Sequence, residues 1–353
     1  MKKSLKIGSA FIGIIVGAGF ASGQEILQYF TSFGYLGILA AILATALFAY
    51  MGMSLTRLGS RMQTSSHKEV VYGIGGKIGG FIMDAIIILT LFGVGVVMIA
   101  GAGSIFSQQF GLPAILGNTV MALIVMATIM LNVQKIITII GSVTPFLIIM
   151  VIGLAVYSLL TMDASFAELN PIAKEQDSAL SNWFYSAINY VSFNIAVGAS
   201  MAIVMGGIEK DEKIAARGGL LGGLGLGVLI ILSHMAIFSA VDRVGNSDMP
   251  ILQMANDISP FLGFFISLIL FAMIYNTAVS MLFSFTARFA EQSTVRFKIT
   301  VVIAVTVAYL LSFRGFTELV GQFYPVIGLL GLFLVVMLVV TNIRYSLNKK
   351  AAV

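Results

Sequence analysis

Two carboxylates, Glu25 and Asp84, stand inside otherwise apolar stretches of the chain. An acid held in such surroundings is costly, so each is a candidate for binding or coupling. Glu25 closes the string Gly17-Ala18-Gly19-Phe20-Ala21-Ser22-Gly23-Gln24-Glu25, where glycines and a hydroxyl crowd together. Two roles are open to it: a carboxylate that takes a proton or an ammonium, or, through the Ser22-x-x-Glu25 spacing, half of a capping box that starts a helix. Asp84 follows Lys77 by seven residues, near one end of its apolar run, where a basic neighbour or a hydrated vestibule would hold it. The only imidazoles are His67 and His234, cysteine is absent, and no HExxH pattern occurs. Thiolate centres and cysteine nucleophiles are thereby excluded, and no nucleophile, base and acid come together in the pattern of an enzyme.

These residues need elements to position them, and composition says which. Of 353 residues 59% are apolar and 10% charged, with a mean hydropathy of +1.02, against about 25% charged in an average soluble domain. A helix crosses the roughly 30 Å hydrocarbon layer in about 20 residues. Ten apolar runs meet that length, at 4–30, 33–58, 78–107, 114–132, 135–160, 180–207, 214–240, 259–288, 297–313 and 316–342. Their unbroken hydrophobicity lacks the alternation of a membrane barrel. An all-α integral membrane protein follows, a single transmembrane domain over 1–353. With the first residue inside, 17 of the 20 Lys and Arg residues fall on the inner side, so both termini are expected in the cytoplasm of a multi-pass cell-membrane protein. No cleavable leader is read at the start, because the first run is needed as a span. The net charge of +5 is too modest and dispersed for nucleic-acid binding; the lipid bilayer is the expected surrounding.

The spans of the second half repeat those of the first at an offset of roughly 180 residues. Five crossings is an odd number, so the units 4–160 and 180–342 would lie in opposite orientations, a 5+5 inverted repeat. In that plan ligands bind at mid-membrane where corresponding helices are broken by glycine, because only there are backbone groups left free. Helices one and six are the expected broken pair: one holds Gly17, Gly19 and Gly23, and six holds Asn194, Gly198, Ala199 and Ser200 within a bulky run. The glycines of helix seven, Gly219, Gly223 and Gly227, come without polar company and read as close packing.

The string VGAGFASGQE at Val16–Glu25, the polar interruption of helix six and the five-plus-five arrangement resemble the amino acid/polyamine/organocation superfamily with the LeuT-type fold, and more narrowly the YkvI-type amino acid permeases. The likeness covers essentially the whole chain. It implies alternating access around a central site, with a cation held between helices one and eight. Matched to that pattern, Gly13 and Val16 offer carbonyls and Thr277 and Ser280 hydroxyls, an all-oxygen set that suits sodium better than a transition metal. The substrate pocket is then expected from Gly17, Ala18, Gly19 and Ser22 of helix one and Asn194, Gly198 and Ser200 of helix six, with Tyr190 as a wall or lid. An amino-acid-like solute fits, its carboxylate on N–H groups of helix one and its ammonium on freed carbonyls of helix six. No organic cofactor is expected. Symport with sodium is the favoured function; proton coupling through Glu25 or Asp84, or a sensor or channel built on the same fold, are the alternatives. The outer segment SDMPILQMAND reads as a short helix, capped by Ser247 or Asp248 and opened by Pro250, that could close over the site.

Overall fold

In an apolar run every backbone N–H and C=O must bond within its own segment, so these stretches become helices. The computed structural model describes residues 2–63, 67–131, 144–292 and 294–351, and is helical wherever it is regular. In chain order the helices are α1 (Lys2–Ile15), α2 (Ala18–Ser22), α3 (Gln24–Tyr29), α4 (Leu36–Met62), α5 (His67–Phe110), α6 (Ala114–Met130), α7 (Thr144–Leu160), α8 (Phe166–Lys174), α9 (Trp183–Ile208), α10 (Glu212–Phe238), α11 (Pro250–Ile258), α12 (Pro260–Thr286), α13 (Val295–Leu311) and α14 (Phe316–Ala351). Seven of them are long and apolar enough to span a membrane, while α6 and the 148–160 part of α7 are shorter apolar helices. The start of the fifth expected span, with Lys135, lies outside the described residues.

Glycine sets the packing of α10. Its residues Gly219 and Gly223 meet the backbone of α4 at Gly52 and at Phe48 and Ala49, so a side chain at either position would collide with main chain. One residue earlier, Gly218 and Gly222 face α1 at Ile7 and Gly8. Thr56 Oγ1 donates across this seam to the Ala215 carbonyl at 2.8 Å. The helix-seven glycines thus do what their spacing indicates, letting main chains approach.

The first span is interrupted twice. Helix α1 ends at Ile15 and Gly17 is extended, with φ −93° and ψ −174°. The Gly17 N–H turns back to the Ile15 carbonyl at 2.8 Å. It is therefore lost to Gly13, its helical partner four residues back. The second interruption is Gly23, at φ +86°, a left-handed conformation that glycine adopts without steric cost.

Helix six is different, and here the expectation is corrected: α9 runs unbroken from Trp183 to Ile208. Its small residues serve an approach, not a break. A Cβ on Gly198 would meet Ile14 and Ile15 of α1, and Asn194 returns its Nδ2 to the Tyr190 carbonyl one turn back, at 3.0 Å. Helix six therefore has no freed carbonyls for an ammonium.

The remaining local readings divide. The outer segment does form α11, with Pro250 at its first turn, but its N-cap is Met249 and no side chain caps it. Asp248 instead accepts from Ser104 Oγ and Thr317 Oγ, both at 2.7 Å, tying α11 to α5 and α14. The glycine-rich stretch 72–80 is part of α5, kinked at Gly76 (φ +61°). The loop after α7 contains α8, which opens with a full capping box between Ser165 and Glu168.

Candidate functional site

A cavity of about 430 Å³ opens where α1 stops. Gly13 to Gly19 form one wall, Asn194, Val197, Ser200 and Met201 of α9 another, and Met273, Asn276, Thr277, Ser280, Met281 and Ser284 of α12 a third. Leu91, Val94 and Met98 of α5, Phe193 of α9, Tyr324 of α14 and Glu25 of α3 complete it. The cavity runs toward the end of the bundle that carries the start of α1 and the finish of α12, through Ile14, Met201 and Ser284. Its other end is blocked by rings. Tyr190 packs against Tyr29 at 5.2 Å, Phe30 at 5.0 Å and Phe48 at 6.1 Å between centroids. Above that plug, α11 sits on the helix-one bend, Ile251 lying against Gly23 where a Cβ would touch it.

Of the residues singled out in the sequence, Gly13, Val16, Gly17, Ala18, Gly19, Glu25, Asn194, Ser200, Thr277 and Ser280 all line this one cavity. Gly13 and Val16 bring carbonyls, and neither has a described backbone partner on the helix-one break. Thr277 and Ser280 do not bond back to their own helix, unlike Ser267 and Thr286 of α12, whose hydroxyls are spent on the Phe264 and Phe283 carbonyls at 2.7 and 2.9 Å. Two free hydroxyls one turn apart opposite two free carbonyls form an uncharged oxygen set of the kind a hard monovalent cation takes. Among the described residues no group of three His, Cys, Asp or Glu side chains comes together.

Four of the expected residues lie elsewhere. Ser22 is fully buried behind the wall, donating to the Gly19 carbonyl at 2.8 Å and accepting from Gln24 N–H at 3.2 Å. Gly198 is covered by α1. Tyr190 belongs to the plug and reaches the site only through its hydroxyl, which donates to Glu25 Oε2 at 3.1 Å. Asp84 is paired with Arg288 at 2.9 Å, the basic neighbour that its depth called for, and does not line the cavity.

The capping-box role of Glu25 is overturned by the same geometry. The N-cap of α3 is Gly23, with no side-chain cap. The Glu25 carboxylate lies over Gly19, occupying the space a Cβ there would need, and is held by Tyr190. Sequence reasoning gave no site role to Phe193, Tyr324 or the methionines. The Phe193 and Tyr324 rings stack at 4.1 Å, and the Asn276 side-chain oxygen is buried without a hydrogen-bond partner. Only Asn276 carried a sequence signal, since it adjoins Thr277 and stands one turn before Ser280; Tyr324 comes from a span with no polar cluster to mark it.

No family model matches the chain. It is similar to an uncharacterized membrane protein, YkvI, of Bacillus subtilis, 26% identical over 332 residues that cover 93% of this chain and 92% of that one. Among solved structures it resembles MhsT in complex with L-phenylalanine, with a TM-score of 0.60, 19% identity and coverage of 89% of this chain and 80% of that. It also resembles Mhp1, a nucleobase-cation-symport-1 family transporter, in its inward-facing conformation, with a TM-score of 0.62, 16% identity and coverage of 93% and 73%. The architecture of the chain is thus the LeuT-type fold that its sequence resembles.

Proposed function

We propose that this protein is a secondary active transporter that carries a small amino-acid-like solute by alternating access, with sodium as the co-transported ion. The observation that supports it most is the cavity at the helix-one break, where a carboxylate, an unpartnered amide oxygen and four uncharged oxygen donors meet an apolar wall. Free backbone groups in a spanning segment are tolerated only where they line such a cavity. The reading includes ten crossings, with the interrupted α1–α3 stretch, α6 and α7 added to the seven long spans, and two inverted units, 4–160 and 180–342. It places both termini in the cytoplasm by the distribution of basic residues, so the cavity would face the cytoplasm in this conformation. Gly17, Ala18, Gly19, Asn194 and Ser200 border the solute, while Gly13, Val16, Thr277 and Ser280 take the ion.

The test is uptake of labelled amino acids into proteoliposomes with sodium outside, against matched vesicles in potassium. Accumulation that depends on the sodium gradient is expected. Equal uptake in both salts, abolished by a protonophore, would replace sodium by protons, and binding without accumulation would remove the transport reading.

A further inference from the structure

Among the described residues, Glu25 is the only acidic side chain at the wall of the cavity, and no lysine, arginine or histidine lines it. The carboxylate is 5% exposed, its described polar partner is the neutral Tyr190 hydroxyl, and none of the described ion pairs involves it. An ionised carboxylate in that position is short of a counter-charge, which makes the cavity a receptor for a cation. Helix six cannot supply the counterpart, because its carbonyls are bonded along an unbroken helix. The stacked rings of Phe193 and Tyr324 belong to the same wall, and aromatic rings attract ammonium groups. Met98, Met201, Met273 and Met281, with Leu91 and Val94, supply apolar surface for the rest of a ligand.

We propose that Glu25 is the ammonium-binding residue of this cavity, and that the solute is a primary amine with an apolar body, free or as part of an amino acid. The proposal rests on the cavity being the solute site of the transport reading. The ammonium donates to the Glu25 carboxylate beside the Phe193 and Tyr324 rings, and the apolar body lies along the methionines. The carboxylate that a zwitterion adds lies toward the helix-one break and contributes less to binding than the amine.

The experiment is a thermal-shift and calorimetric titration of the purified full chain, in sodium buffer, with matched probes: butylamine and butyrate, 3-methylbutylamine and 4-methylpentanoate, phenethylamine and 3-phenylpropionate, with leucine and phenylalanine. The amine-bearing probes are expected to raise the unfolding midpoint by mass action and the carboxylates not to. Glu25→Gln should weaken the amines by about tenfold or more, the loss of one charge-assisted hydrogen bond. Glu25→Asp, which keeps the charge, should retain the preference for amine over carboxylate; this second variant covers a folding defect in the first. Carboxylates binding as well as amines, Glu25→Gln binding amines like the parent protein, or no response to any amine each overturn the proposal. Labelled phenylalanine uptake separates it from the transport reading: Glu25-dependent binding without accumulation sinks transport alone, and accumulation indifferent to Glu25→Gln sinks this assignment alone.

Discussion

The hydroxyls of Thr277 and Ser280 stay unspent, although those of Ser267 and Thr286 in the same helix bond to the preceding turn. Such a pair needs an outside partner to offset its partial desolvation. Replacing both by alanine is therefore expected to raise the sodium concentration for half-maximal uptake by about tenfold while leaving the fold intact; unchanged sodium dependence in proteoliposomes would remove them from the ion site. Gly19→Leu is a sharper change, because the new side chain takes the space now held by the Glu25 carboxylate. Uptake should vanish while size-exclusion behaviour is kept, and normal uptake would count against the whole pocket. At this scale the sequence was informative wherever a residue had few alternatives. An acid or an uncompensated hydroxyl in an apolar run has to meet something polar, and Glu25, Thr277 and Ser280 line the same cavity. It was uninformative for Ser22, Gly198 and Tyr190, since a position on a helix does not say which side of a wall a side chain takes. Phe193 and Tyr324 look like any other core ring until α9 and α14 are set side by side.

Among the elements, the spans were legible because hydropathy and length leave little freedom in a membrane, as α4, α9, α10 and α12 illustrate by falling within a few residues of the expected runs. The conformation of helix six was not. A glycine among small residues permits either a break or a close approach, and the choice was made by α1, whose Ile14 and Ile15 occupy the groove over Gly198. Helix α8 was overlooked although Ser165-x-x-Glu168 is a helix-start signature, because its flanks lack an apolar run. Glu168 accepts the Ser165 backbone N–H at 2.7 Å and its hydroxyl at 2.8 Å, which holds its carboxyl below the usual 4.5. A lowered value in the folded state gives stability that is present above the unfolded value and is lost as pH falls through the folded one. Amide protection in α8, relative to the intrinsic exchange rate, should therefore fall selectively in acid below about pH 4.5, and Glu168→Gln should remove that pH dependence. Gly223→Leu probes the packing of α10, where the added side chain would collide with the Phe48 and Ala49 main chain. A loss of about 1–3 kcal/mol, the ordinary range for overpacking, is expected in the unfolding free energy. A midpoint like that of the parent would show that the seam is looser than the geometry indicates.

For the molecule as a whole, the chain contains no cysteine, so a single engineered thiol reports without background. A cysteine at Met201 or Ser284, where the cavity runs out to the basic end, should react with a charged maleimide from the cytoplasmic side. One at Phe48, inside the aromatic plug, should react from neither side while the plug is closed. Labelling of Met201→Cys from outside alone would reverse the orientation proposed above. The contact of α10 with α1 and α4 bears on how such a molecule moves. Where peptide groups touch across an interface there are no ridges to ride over and no rotamers to exchange, so that junction has no intermediate positions and behaves as a weld. Any rocking must then be taken up at faces filled by long, adaptable side chains, and the methionine-rich side of the cavity is the natural slip plane.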